Sequence, residues 1–346
     1  MLDVSAAGSP EMLGECQLQP QAVIVHDPVA AGAFSAFERM ADDNRIEPDL
    51  LFRGRPNPSL YASHHALFVR TIAAHIGRVI YLSTLIGDHP SLKAASANPN
   101  QVFTRDSLIT LPWAPDAFFC ARLRPPQRRH EPNTMKAAVE RLGLREVVHL
   151  PPDIFLEGGD VIPFAYKGRR CLLVGCGPRS SPEAIDFLQQ ELLPRYADEL
   201  IALHLAPWRM NLDGGFVPVA DDVIVADTSS ILAAELVGAR GRLTLNLWEM
   251  LDELGIRVLD TTPEESVYAQ SCNCLCLGDR GIICYDLCPR VIALLEQSEI
   301  RVHPVPGAEL IKGRGGPRCM TRPIYQPLDE RHGDGCQSPC GLRRSS

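Results

Sequence analysis

Short apolar blocks alternate along this chain with longer stretches of helical period, and the order in which they come is regular. Residues 22–25 form an apolar run that reads as a strand, residues 63–76 carry a helical period, and residues 79–82 read as the strand that follows. Residues 132–142 predict a second helix and residues 147–150 a strand. Residues 161–164 and 170–174 read as two strands split by a turn at Lys167-Gly168. Residues 181–193 then predict a helix, with Pro182 suited to its first turn, and residues 200–205 a strand. The order returns with strands at 215–219 and 223–226, a helix at 245–254 and a strand at 257–259. It returns again with strands at 272–277 and 281–285, a helix at 289–297 and a strand at 301–305. This is a ββαβ unit repeated at intervals of roughly 50 to 60 residues, and self-similarity of this kind decides the architecture.

Each unit comes close to a polar or glycine-rich signature. These are Phe103-Thr104-Arg105-Asp106, Glu157-Gly158-Gly159-Asp160, Asn211-Leu212-Asp213-Gly214-Gly215 and Gly313-Arg314-Gly315-Gly316-Pro317-Arg318-Cys319-Met320. Units arranged around an axis would bring such signatures to one central pocket. The last places a cysteine behind a glycine-rich turn flanked by two arginines. Glycines admit unusual backbone conformations and close approach of a ligand. Neighbouring guanidinium charge favours the thiolate, which is the nucleophilic form. Cys319 is therefore the candidate nucleophile.

At 346 residues the chain can bury a large core, and 45% hydrophobic with 22% charged content is that of a soluble globular protein. A net charge of −8 argues against a nucleic-acid partner, which needs a basic face. The short basic run Arg122 to Arg129 reads as a solvated loop. There is no apolar stretch of about 18 residues, so no membrane span is expected, and residues 1–10 carry no signal-peptide pattern. Twelve cysteines without such a signal suggest reduced thiols in a cytoplasmic protein. Cys272, Cys274 and Cys276 alternate as small core residues on one strand face do. Cys336 and Cys340, with His332 nearby, lack the second cysteine pair that a zinc site wants. Residues 1–19 and 329–346 read as flexible segments flanking one domain at 20–328.

In combination, Phe-Thr-Arg-Asp at 103–106, Glu-Gly-Gly-Asp at 157–160 and Gly-Gly-Pro-Arg-Cys-Met at 315–320 resemble the guanidino-group-modifying enzymes. That superfamily comprises arginine deiminases, dimethylarginine dimethylaminohydrolases and amidinotransferases. The resemblance covers residues 20–326, is strongest to arginine deiminases at the cysteine segment, and leaves no room for their long helical insertion. It implies an α/β fold, a five-bladed α/β propeller of ββαβ repeats around a central active site. It also implies a small-molecule guanidino substrate, arginine or a derivative, and no cofactor or metal; it sets no oligomeric state. By the same resemblance Cys319 attacks the guanidino carbon, Asp106 and Asp213 grip the guanidinium, and Glu157 orients the catalytic base. Asp160 holds the site or contacts substrate, and Arg314 binds the substrate carboxylate. Buried carboxylates opposite a cationic fork are what such a substrate requires.

One position departs. The family pattern has His-x-Asp where this chain has Asn211-Leu212-Asp213. Asparagine does not titrate near neutral pH, and general acid–base catalysis is typically worth about 10²–10⁴-fold. Three explanations compete. Another histidine (His204, His64, His65 or His303) takes the role, or Asn211 positions an intermediate while Glu157 or the substrate supplies the proton, or catalysis is lost and the propeller is a binding module. A working hydrolase is the expectation, with amidino transfer to an amine as the alternative.

Overall fold

A computed structural model describes residues 13–328. β1 (Ala22–Val25) leads through helix Pro58–His75 to β2 (Val79–Tyr81), which pairs with it in parallel. β3 (Leu108–Leu111) and β4 (Ala114–Cys120) form an antiparallel pair, and helix Glu131–Arg141 returns the chain to β5 (Arg145–Val148), parallel to β4. β6 (Val161–Tyr166) and β7 (Arg169–Cys176) repeat the pair, followed by helix Glu183–Leu192 and β8 (Glu199–Leu205), parallel to β7. β9 (Phe216–Ala220) and β10 (Val223–Ala226) begin the next unit. A hairpin of β11 (Ile231–Gly238) and β12 (Gly241–Leu245) interrupts it before helix Leu247–Glu253 and β13 (Arg257–Asp260), parallel to β10. β14 (Leu275–Gly278), β15 (Gly281–Tyr285), helix Pro289–Gln297 and β16 (Arg301–Val305) make the fourth complete ββαβ unit. β17 (Arg322–Ile324) then pairs antiparallel with β1.

The result is five sheets, each with an antiparallel pair and a third strand parallel to its middle one. The blade β17–β1–β2 takes its first strand from the far end of the chain, so a short strand pairing closes the ring. The strands that open the blades, β3, β6, β9, β14 and β17, are buried almost throughout, whereas the outer strands β5, β13 and β16 are half exposed. Burial on both faces explains why the inner strands read as continuous apolar runs rather than as alternation.

Three features escape the sequence pattern. β3 and β4 flank Pro112 and include Pro115 and Asp116, which hides their period. The β11–β12 hairpin belongs by sequence to the β9–β10 unit, but β11 pairs with β8 and widens that sheet to five strands. Cys272 and Cys274 lie in the turn ahead of β14 rather than on it, and with Cys276 they are buried in the core. The expectation of a loose segment up to residue 19 does not hold for residues 13–19. Glu15 is buried, its amide donates to the Pro163 carbonyl at 3.0 Å, and Cys16 joins the core. Residues 1–12 and the tail from 329, with His332, Cys336 and Cys340, lie outside the described residues. No helix among the described residues is long and apolar enough to cross a membrane.

Candidate active site

Each blade's first strand is preceded by a tight turn, and these five turns build the site. They are the residues around Thr104–Ser107 before β3, Gly158–Asp160 before β6, Leu212–Gly214 before β9, Ser271–Cys272 before β14 and Pro317–Met320 before β17. The fourth carries no glycine and was not recognised in the sequence, yet it supplies Asn273. The Asn273 Nδ2 donates to Cys319 Sγ at 3.0 Å, and its Oδ1 accepts from the Cys319 amide at 3.1 Å. The five-fold repeat itself was the signal that could have found it, since a fifth turn had to face the same axis.

Cys319 is only 9% exposed. Its Sγ donates to Asp213 Oδ2 at 3.4 Å, and its carbonyl accepts from the Arg105 amide at 3.1 Å. The glycines ahead of it serve close approach, not unusual torsion. A Cβ on Gly316 would lie 2.7 Å from Asn273 Cβ, and the left-handed residue of the segment is Arg314, at φ 71°. The flanking arginines do not make a thiolate. Burial, followed by the carboxylates of Asp213 and Asp106, pushes the Cys319 thiol well above its usual range. Arg318 turns away into the interior. It donates from Nε and Nη2 to Glu15 at 3.0 and 2.9 Å, and from Nη1 to Asp213 Oδ2 at 3.0 Å. Arg314 pairs with Glu47 at 2.6 Å.

The two carboxylates expected to grip a guanidinium do face one another. Both are buried, and Gly159 lies between them: a Cβ there would meet Asp106 Oδ1 at 2.9 Å and Asp213 Oδ1 at 3.2 Å. Asp106 Oδ2 is held by Arg128 Nη1 at 2.8 Å, while its buried Oδ1 has no partner among the described residues. Burial raises the Asp213 pKa despite Arg318 beside it. Arg128, from the run read as a solvated loop, is buried and bonded to Glu131 as well as Asp106.

Asn211 donates from Nδ2 to Glu157 Oε2 and to Asp160 Oδ2, both at 3.1 Å. Glu157 also pairs with Arg179 at 3.2 Å. Asp160 accepts from Ser180 Oγ at 2.5 Å and from the Leu212 amide at 2.7 Å, so it holds the Asn211 turn. Burial, with Glu157 adding to it, raises the Asp160 pKa far above the usual range. No histidine lines the cavities at Cys319. His204 sits on β8 facing Glu235 at 3.3 Å, the His303 ring lies tilted against His75 with centroids 3.9 Å apart, His64 accepts from the Glu309 amide at 3.5 Å, and buried His65 lies 3.9 Å from Asp27. Replacement of the family histidine by one of these is therefore set aside.

Two small cavities meet at Cys319, Asn211, Met210 and Arg314. The first continues past Asp106 to Arg128 and Arg179. The second continues past Asp213 to Arg53, Trp208 and Gln270. A thiol, a facing pair of carboxylates and guanidinium-lined outer walls can receive a zwitterion that carries a planar cation.

This site on five blades has the arrangement of the pentein superfamily, whose members include the guanidino-group-modifying enzymes. The chain belongs to the arginine deiminase family, whose sequence model matches residues 87–326. It is 28% identical over 257 residues to an arginine deiminase of Mycolicibacterium gilvum (strain PYR-GCK) and 29% identical over 252 residues to one of Rhodococcus jostii (strain RHA1). Each match covers 65% of this chain and 60% of the relative, so the chain spans less than two thirds of the relatives' length. Among solved structures, the N-terminal domain of ArgZ, an arginine dihydrolase from cyanobacteria, superposes with a TM-score of 0.65 at 17% identity, covering 88% of this chain and 99% of that one. A dimethylarginine dimethylaminohydrolase superposes with a TM-score of 0.59 at 16% identity, covering 88% and 100%. These two likenesses show the fold.

Proposed function

We propose that the chain hydrolyses the guanidino group of arginine or a close derivative through a covalent amidino-cysteine intermediate. The observation that carries this reading is the cradle at Gly159. There the unpartnered Asp106 Oδ1 and the Asp213 carboxylate face each other across a glycine, beside the Cys319 thiol. Two buried carboxylates are mutually unfavourable unless a cation joins them. A guanidinium donating to both would relieve that repulsion, and the same positive charge would draw the thiol toward thiolate.

The proton then has a short route that needs no histidine. Cys319 Sγ–H already points at Asp213 Oδ2 at 3.4 Å. Burial raises the Asp213 pKa, so this carboxylate can hold a proton transiently. As sulfur bonds to the guanidino carbon, Asp213 passes the proton to the departing amine nitrogen. Water then gives one proton to the vacated Asp213 carboxylate as its oxygen adds to the amidino carbon; the C–S bond breaks, Asp213 returns that proton to sulfur, and the remaining proton leaves to solvent or to the released ammonia, giving the ureido product. Asn211 acts as an orienting group: with Nδ2 donating to Glu157 and Asp160, its amide plane is fixed and its Oδ1 remains an acceptor for the incoming water.

The test is acid quench during turnover of arginine, followed by mass analysis of the peptide that contains Cys319. An amidino adduct on Cys319, with ammonia and ureido product released in equal amounts, is expected. Absence of adduct and of ammonia with arginine, its methylated forms and decarboxylated arginine would overturn the proposal.

A further inference from the structure

Away from the two cavities, three arginines meet in the interior. Arg105 stands in the turn before β3, Arg318 in the turn before β17 and Arg322 on β17 itself, and all three are buried. They meet two carboxylates. Glu15 lies 3.1 Å from Arg105 Nη1 and accepts from Arg318 Nε and Nη2 at 3.0 and 2.9 Å, and Asp213 accepts from Arg318 Nη1 at 3.0 Å. Arg322 pairs with neither: its Nη1 donates to Thr110 Oγ1 at 3.3 Å and its Nη2 to the Arg105 carbonyl. Asp106 and Glu131 hold an arginine of their own, Arg128. Three buried cations against two carboxylates leave one positive charge uncompensated, which is strongly destabilising in an interior. Three buried donors of the cluster also lack an acceptor among the described residues: Arg105 Nη2, Arg322 Nε and the Tyr325 hydroxyl. Burial, followed by the Glu15 charge, pushes the Tyr325 hydroxyl up, so it stays protonated as a donor beside Arg105, Arg322 and Arg318. Burial, with Arg105 adding to it, pulls Arg322 well below the ordinary arginine range, as befits a cation with no counter-charge. Buried polar groups in folded proteins are nearly always satisfied by protein, water or an ion.

We infer that this cluster is a binding site for one small monovalent anion of the halide class, chloride in ordinary solution, held by Arg105 Nη2, Arg322 Nε and the Tyr325 hydroxyl. Water could accept from the same donors, but it would leave the surplus charge in place. A halide removes that charge and brings no N–H or O–H that needs an acceptor of its own. The site is distinct from the substrate pocket, since Arg105, Arg322 and Tyr325 line neither cavity at Cys319. Its place in the fold gives it a task. Arg322 and Tyr325 belong to the segment that closes the ring on β1, and Arg105 belongs to the turn before β3. The Arg105 amide donates to the Cys319 carbonyl at 3.1 Å and its Nε to the Arg318 carbonyl at 3.1 Å. The ion thereby pins the closing strand to the turn that steadies the thiol segment.

The experiment is urea unfolding of the full chain at equilibrium, with chloride replacing gluconate at constant ionic strength. A ligand that binds only the folded state raises stability with its concentration. The wild-type urea midpoint should therefore rise with chloride along a binding curve, and bromide should substitute for it. Tyr325→Phe keeps the ring and removes one donor to the ion; a hydrogen bond to a charged partner predicts an apparent halide affinity about 10-fold weaker or more. Arg322→Met removes the surplus charge and should abolish the chloride response; if that variant does not fold, Tyr325→Phe carries the test. A wild-type midpoint indifferent to chloride overturns the inference, as does a Tyr325→Phe response equal to the wild type's. Crystals grown in bromide should show an anomalous-scattering peak within hydrogen-bond distance of Arg105 Nη2, Arg322 Nε and the Tyr325 hydroxyl. No such peak, or a peak without any halide dependence of stability, means water or an adventitious ion only and equally overturns it. None of these readouts involves turnover, so the outcome stands apart from that of the hydrolase reading.

Discussion

At the scale of single residues, the site depends on what is missing as much as on what is present. Gly159 has no side chain where a Cβ would contact the carboxylates of both Asp106 and Asp213. We expect Gly159→Ala to lower kcat/KM by about 10²-fold or more, since a displacement of about an ångström near the reacting atoms has that effect. Stability should fall only by the roughly 1–3 kcal/mol typical of overpacking. Gly158 is the contrast: a Cβ there would lie 2.1 Å from the Arg105 carbonyl oxygen, so Gly158→Ala should damage folding itself. Steady-state kinetics beside thermal unfolding of the two variants separates the effects; equal behaviour would contradict the cradle. The motifs around these glycines were legible in the sequence because they are contiguous. Asn273 was not, because it stands alone among cysteines and acquires meaning only when folding brings it to Cys319.

At the scale of elements, the segment ahead of β1 is part of the site's support. Glu15 accepts from Arg318, which in turn holds Asp213, and it also lies 3.1 Å from Arg105. Burial opposes the Glu15 charge, but Arg105 and Arg318 outweigh it and hold the pKa down at about 2. The folded-state value lies below the unfolded one, so this contribution is complete above pH 4.5 and is lost as pH falls through about 2. Removing one partner of a buried ionic network typically destabilises by about 3–5 kcal/mol. Glu15→Ala should therefore lower the unfolding free energy by about that amount and raise the KM for the guanidino substrate, because Arg318 then loses the group that orients it toward Asp213. Denaturant unfolding and KM measured together check this; an unchanged KM would sever the segment from the site. The sequence gives no hint of this role, since a lone glutamate in a polar stretch looks like surface.

At the scale of the whole molecule, ring closure joins β17 to β1, and the loop leaving β1 carries His26 into the interior near His65. Neither imidazole makes a side-chain hydrogen bond among the described residues; the Ala95 backbone faces His26 and the His26 backbone faces His65. Burial, with His65 adding to it, lowers the His26 pKa to about 4, and burial likewise lowers that of His65. Both are therefore held neutral. Between pH 6.5 and about 4 the unfolded chain binds the proton that folded His26 refuses, so stability falls as pH falls through that window. His26→Leu should flatten the slope of unfolding free energy against pH there by about one proton, or about 1.4 kcal/mol per pH unit. Chemical denaturation at several pH values tests this, and an unchanged slope would refute it.

Sequence alone determined the repeated ββαβ order, the helices that link second to third strands, and the motifs that carry Cys319, Asp106, Glu157 and Asp213, because local period and contiguous motifs are properties of neighbours along the chain. Only the tertiary structure decided which charges meet. It set Arg318 on Glu15 and Asp213, Arg314 on Glu47 and Arg128 on Asp106. It also made Cys319 a protonated thiol where the flanking arginines had suggested a thiolate. The physical reason is that Coulomb energy and desolvation depend on distance and burial in space, and residues adjacent in sequence, such as Arg318 and Cys319, can point their side chains into different surroundings.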